Sequence, residues 1–411
     1  MLAAIRLSVD SAPGSGIVAG HVSIAENTAM AGLLDSVDPD GLLEYSVVYT
    51  DRSVNHMSAQ FQQTMRDIHT TLTDVYQAHR AVIVPGSGSF GMEAVARQFC
   101  RDQNCLVIRN GWFSFRWSQI FDAANLPAAH QVLCARAENN GSQAAYVPVP
   151  IEEAVATITK EQPQVVCAPH VETSMGMMLP DDYLKALADA VHSYGGLLIL
   201  DCVASGTEWV DMKSTGVDVL ITAPQKGWSG TPCAGIVMLS EHAHQKMQST
   251  QSDSFAIDLK KWSQIMEAYL DGKHAYHATM PTDGLIAFRD VMNEIADFGF
   301  DNAKRKQAEL GLRIRSLMSD AGFVSAAAAG FQAPGVAVFY TDNDELHSGR
   351  AFAAAGVQIA AGVPLEIGEP DDFKTFRLGL FGLDKLKDVD AAVDRFSRAL
   401  AEVRRALEVA A

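Results

Sequence analysis

The stretch "VIVPGSGSFGMEAVARQF" at residues 82–99 passes from an apolar run through a glycine-rich turn into a helical pattern. Gly86, Gly88 and Gly91 satisfy G-x-G-x-x-G letter for letter. A strand that feeds a helix through glycines turns backbone N–H groups and the positive end of the helix dipole toward an anion. Two anions fit that arrangement, the pyrophosphate of a dinucleotide and a single phosphate on some other molecule. The rest of the chain has to separate them.

Around this stretch, short apolar runs alternate with helical ones. A helix is expected from about residue 56, with Phe61, Met65, Ile68, Leu72 and Val75 at helical spacing. "NCLVIRNGW" (104–112) precedes "FSFRWSQIFDAA", and "QVVCAPHVETS" (164–174) precedes "DDYLKALADAVHSYG". "GLLILDCVAS" (196–205) and "VDVLITAPQK" (217–226) follow, joined by a short connection. Such alternation implies an α/β fold whose mainly parallel sheet is buried on both faces. One long helical stretch is read at 288–318, and a closing helix carries Val389, Val393, Phe396, Leu400, Val403 and Leu407 as a packing stripe. The expected division is an arm at 1–40, a large domain at 41–290 and a small C-terminal α/β domain at 291–411.

With 411 residues, 48% of them hydrophobic, the chain can bury a sizeable core. A net charge of −17 argues against nucleic acid or an anionic membrane surface as the main partner. Its six cysteines show no C-x-x-C pair and no zinc-like spacing, so no metal site and a reducing compartment are expected. No apolar run approaches a membrane span, and a cytoplasmic protein is the expectation.

Two strand ends carry ionisable residues. "GLLILD" ends at Asp201, and "DVLITAPQK" ends at Lys226 inside the small-residue turn "APQKGWSGTPCAG". A lysine that works as an amine needs a confined site and a lowered pKa. A strand-end carboxylate, a strand-end lysine and a phosphate-binding helix start are the three fixings of pyridoxal phosphate. Lysine forms the Schiff base, the carboxylate pairs with the pyridinium nitrogen, and the turn holds the phosphate. The nicotinamide alternative asks for an acid at the end of the next strand. "LVIRNGW" offers Arg109 and Asn110 there, with Arg109 suited in principle to a 2′-phosphate.

The motifs "PGSGSFGMEA", "RNGWFSFR", "HVETSMGMMLP", "LILDCVAS", "APQKGWSGTPCAG", "YHATMP" and "FRLGLFG" stand in that order over roughly residues 55–400. In them the chain resembles a class V aminotransferase of pyridoxal-phosphate fold type I, near the alanine–glyoxylate and serine–pyruvate enzymes. The resemblance implies a large domain with a seven-stranded sheet and a small C-terminal domain. It casts Lys226 and Asp201 as the catalytic pair and Val203 against one face of the ring. Ser87, Gly88, Ser89 and Gln225 would hold the phosphate, Phe113 (or Trp112 beside it) would stack on the ring, and Thr173 would bond the phenolic oxygen, with His170 orienting that loop. It implies a homodimer with composite sites, to which Tyr276 and Thr279 would cross from the partner, and Arg377 as the residue for the substrate carboxylate. The implied reaction is ping-pong transfer from a small L-amino acid to a 2-oxo acid such as glyoxylate or pyruvate. An aminophosphonate donor is the near alternative, and would call for extra cations in the pocket. The segment at 36–58, with Glu44, Tyr45, Tyr49 and Arg52, departs from the family's Gly-Pro-rich loop.

Overall fold

The computed structural model describes residues 36–410, so most of the arm expected at 1–40 lies outside the described residues. Seven strands form the main sheet: β1 (Arg80–Pro85), β2 (Asn104–Arg109), β3 (Ala129–Cys134), β4 (Val165–Pro169), β5 (Leu197–Asp201), β6 (Val219–Thr222) and β7 (Ala234–Leu239). Their order across the sheet is β1-β7-β6-β5-β4-β2-β3. The run from β6 to β3 is parallel, and β7 is antiparallel to both β6 and β1. Every residue of β4, β5, β6 and β7 is buried, as Val/Ile/Leu-rich strands covered on both faces must be.

Because β7 alone runs backwards, β1 points the same way as the parallel set. The C-terminal ends of β1, β2, β4, β5 and β6 therefore share one edge, where ligands of such sheets bind. The glycine turn after β1 opens helix α2 (Gly88–Phe99) on that edge, and helix α3 (Trp112–Ala124) starts there after β2. Helix α4 (Asp181–His192) leads back to β5, and helix α5 (Glu241–Ser249) follows β7 on the opposite edge.

The expected first helix is α1 (Ala59–Tyr76), begun by Ser58, whose hydroxyl accepts from the Phe61 N–H. The single long helix read at 288–318 is two, α6 (Thr282–Phe298) and α7 (Phe300–Asp320). Gly299, at φ +90°, breaks the hydrogen-bond ladder between them while the apolar spacing continues on both sides. A smaller sheet of β8 (Val336–Tyr340), β9 (Ala360–Ala361) and β10 (Thr375–Gly379), ordered β8-β10-β9, packs with α7 and the closing helix α8 (Val389–Ala410). The stripe read on α8 faces this second core, with Val389, Leu400 and Val403 buried and Val393, Phe396 and Leu407 packed against them. Among the described residues all six cysteines are free, and no helix is long and apolar enough to cross a membrane.

Candidate active site

The shared strand edge encloses a cavity of ≈ 200 Å³ lined by Ser87, Gly88, Ser89, Phe113, Thr173, Asp201, Val203, Gln225 and Lys226, with Met92, Arg116, Val171 and Ala204. Nine residues named from sequence thus meet in one place from five strand ends. Tyr276 and Thr279 are not among them. They sit exposed on this chain's surface, their hydroxyls 3.3 Å apart. A larger hollow of ≈ 440 Å³ beside Tyr146, Tyr340 and Phe373 carries neither a lysine nor a helix start, so volume alone would mislead here.

Lys226 is half-buried in the turn after β6, its Nζ 5.6 Å from the centre of the Phe381 ring. The next residue explains the confinement. A Cβ on Gly227 would fall 1.8 Å from the Gly206 carbonyl oxygen, so only glycine lets the two turns meet. Burial lowers the Lys226 pKa below its ordinary value, and the nearby charge of Arg377 lowers it further. Arg377, in the middle of β10, donates its Nε–H to the Ala361 carbonyl at 2.7 Å and has no ion-pair partner among the described residues. Its guanidinium carbon lies 5.5 Å from the centre of the Phe113 ring, so it stands at the cavity rim beside the ring and the lysine.

Asp201 ends β5 with a carboxylate that accepts one hydrogen bond, from the Val203 N–H at 2.9 Å. Burial raises its pKa to about 6. His170 is buried, with Nδ1 2.7 Å from the Ser205 hydroxyl, and burial pushes it down to about 3, so it is a neutral ring that fixes the loop after β4. Of the two aromatics left open in "RNGWFSFR", Phe113 lines the cavity, while Trp112 packs 5.9 Å from the Phe115 ring.

Two residues escaped the sequence reading. Arg116 follows Phe113 by one helical turn on α3 and so shares its face, which is the signal that could have found it. It donates to the Ser89 hydroxyl at 2.9 Å and lies 5.5 Å from the Phe113 ring centre. Glu172 is fully buried and accepts from the N–H groups of Phe113 (3.1 Å) and Ser114 (2.9 Å). The Ser114 and Ser174 hydroxyls also donate to it, each at 2.7 Å. A carboxylate at the start of α3 both satisfies free N–H groups and complements the helix dipole, and here it fixes where Phe113 stands. Its partners on α3 are distant in sequence, so no local pattern announced it.

Does the cavity fit pyridoxal phosphate? Ser87 begins α2 without a side-chain cap bond, leaving its hydroxyl and the helix start for an anion. The Gln225 side-chain oxygen is buried without a hydrogen-bond partner among the described residues, so the amide is uncommitted and can turn its NH2 donors to an anion. A buried carboxylate with one partner waits for a cation, and a lysine of lowered pKa faces the same space. The donor set fits the group. A dinucleotide is not favoured, since β2, the next strand after the glycines, lies five places away from β1 instead of beside it. Arg109 is already engaged by the Ser118 hydroxyl and the Glu366 carbonyl.

Residues 40–364 match the model of the family described as aminotransferase class-V. A 2-aminoethylphosphonate–pyruvate transaminase of Paraburkholderia phymatum is 29% identical over 82% of this chain and 88% of its own. An alanine–glyoxylate aminotransferase of Rattus norvegicus is 26% identical over 66% of this chain and 64% of its own. Among solved structures, an alanine–glyoxylate aminotransferase from Nostoc sp. shares the fold at a TM-score of 0.71, with 21% identity over 85% of this chain and 89% of that one.

Proposed function

The chain belongs to the class-V aminotransferases, enzymes of fold type I that act through pyridoxal 5′-phosphate, and from that premise we propose that it moves the amino group of a small L-amino acid, alanine or serine, to a short 2-oxo acid such as pyruvate or glyoxylate. The observation that carries this reading is Arg377, a guanidinium without an ion-pair partner among the described residues, at the rim of the cavity that holds the confined amine of Lys226.

Ser87, Ser89, Gln225 and the start of α2 would hold the phosphate, Phe113 and Val203 the two faces of the ring, Thr173 the phenolic oxygen and Asp201 the ring nitrogen. Lys226 would supply the amine of attachment. When bound, the group supplies the electron sink that makes a substrate Cα proton removable. Arg377 keeps its Nε on Ala361, which leaves both Nη groups to take a carboxylate side by side. That grip sets the amino acid's Cα toward the lysine. Lys226 Nζ, favoured in its neutral form by burial and by Arg377, would take the Cα proton and give it back at the carbon on the far side of the transferred nitrogen.

A homodimer with composite sites is part of the same reading. Leu42, Tyr45 and Val47 are 87%, 89% and 103% exposed, in the stretch whose Tyr49 hydroxyl donates to the carbonyl of Met280, next to Thr279. In a second copy Tyr276 and Thr279 would reach the first copy's phosphate end.

Arg116 brings a second guanidinium to the cavity, and a relative covering 82% of the chain is named for 2-aminoethylphosphonate, so that donor is the second to test. The purified protein with pyridoxal phosphate should show a yellow, borohydride-reducible absorption. Alanine or serine should bleach it, and pyruvate or glyoxylate should restore it. Bleaching by 2-aminoethylphosphonate alone would replace the donor. A protein that stays colourless would overturn the assignment of Lys226.

A further inference from the structure

On the opposite edge of the main sheet, where the parallel strands begin, three side chains from separate parts of the chain converge. His192 ends α4, Asp218 immediately precedes β6, and His242 lies in the first turn of α5. His192 Nε2 stands 2.7 Å from one Asp218 carboxylate oxygen, and His242 Nδ1 stands 3.4 Å from the other. One donor atom from each residue lies within 4.8 Å of the others. We infer that this trio binds a divalent transition-metal ion of the zinc type, remote from the lysine cavity.

Two imidazole nitrogens and one carboxylate oxygen are a set that zinc accepts, with water as the fourth ligand. Magnesium and calcium prefer oxygen ligands alone and are disfavoured here. Around a tetrahedral ion with bonds of about 2.0–2.1 Å, ligand atoms stand about 3.3 Å apart. The spacing between His242 Nδ1 and the nearer Asp218 oxygen already matches, while His192 stands on the other oxygen. The shorter contact to His192 is bridged by a proton, and an ion that displaces the proton would open it by about 0.6 Å.

The carboxylate is held as a ligand has to be. Asp218 is only 2% exposed, and it accepts from the Leu198 N–H at 2.9 Å and the Ser240 hydroxyl at 3.1 Å. Such outer hydrogen bonds orient metal-binding carboxylates. Both imidazoles border an open surface hollow, which gives an ion a way in and water a place beside it. The neighbouring Lys246 directs its ammonium to the Gly195 carbonyl at 3.2 Å. The cysteine spacings gave no metal site, and this one uses no cysteine. A bound ion would tie α4, β6 and α5 together at the edge of the sheet that does no chemistry.

The test is a calorimetric zinc titration of the chelator-treated, full-length holoenzyme beside its H192Q/H242Q variant. We expect one zinc per chain in the wild type, at least about tenfold weaker binding in the variant, and a zinc-dependent rise in unfolding temperature seen only in the wild type. Transamination by the variant should stay within about twofold of the wild type, because neither histidine lines the cavity. Absence of zinc binding in the wild type overturns the inference. Equal binding by the variant overturns it too, and would move the ion to another histidine pair, such as His79 and His244 with ring centres 5.3 Å apart.

Discussion

Asp201 and Asp218 are both buried aspartates on adjacent parallel strands, one at the end of β5 and the other just before β6, and their surroundings are opposite. Among the described residues Asp201 receives a single hydrogen bond, from the Val203 N–H, and burial holds its pKa near 6. Asp218 is surrounded by the Leu198 N–H, the Ser240 hydroxyl and two imidazoles. One edge of the sheet leaves a carboxylate short of partners, and the other surrounds one with them. A charge buried without a partner costs stability that returns only when a cation arrives. The under-satisfied edge is the one that also holds Lys226 and the open start of α2.

The contrast is broken most directly by Lys226→Ala. Turnover should fall by roughly 10³-fold or more, since the proton-transfer group and the amine of attachment go together. Steady-state rates with the donor found by bleaching would show it. If the variant keeps a tenth of the activity, the chemistry belongs to a different amine, and the two edges of the sheet are not divided as proposed.

The cavity edge was more legible in the sequence than the far edge, for a physical reason. Apolar runs that stop abruptly at Asp201, Lys226 and the glycines report strand ends, and strand ends of a parallel sheet converge. Arg377 needed the resemblance, because a strand arginine looks the same whether it binds substrate or a neighbouring carboxylate. Glu172 and Arg116 act through partners on other elements, or through a helix face that becomes meaningful only once Phe113 is placed. The break at Gly299 was hidden because the apolar spacing of α6 continues into α7. His192, Asp218 and His242 carry no local signal at all. A histidine at a helix end and an aspartate before a strand are ordinary, and only the strand order brings them together.

Asp218→Asn tests whether the far edge is a structural post. The exchange leaves the Leu198 N–H or the Ser240 hydroxyl facing an amide and breaks the contact to His192. A loss of about 2–4 kcal/mol in denaturant unfolding is expected, measured without cofactor and with chelator present. A variant within about 0.5 kcal/mol of the wild type would mean that the carboxylate's partners are incidental.

Asp201→Asn should act with the opposite sign and a smaller size. The carboxyl rises from 3.8 in the unfolded chain to about 6 in the folded one. Below the lower value both states are protonated and burial of the group carries no charge penalty. Between the two values the folded chain holds a proton that the unfolded chain has released, so stability falls as pH rises. Above the upper value both are ionised and the penalty is complete. Asparagine never ionises and escapes it. The cofactor-free variant should therefore match the wild type near pH 3 and exceed it by about 1–3 kcal/mol at pH 8. With pyridoxal phosphate bound the order should reverse, because the carboxylate then has the cation it lacked. Denaturant midpoints at the two pH values, with and without cofactor, separate these cases. A cofactor-free variant less stable than the wild type at pH 8 would show that Asp201 has partners enough already, and that the edge with the cavity is no less satisfied than the edge with Asp218.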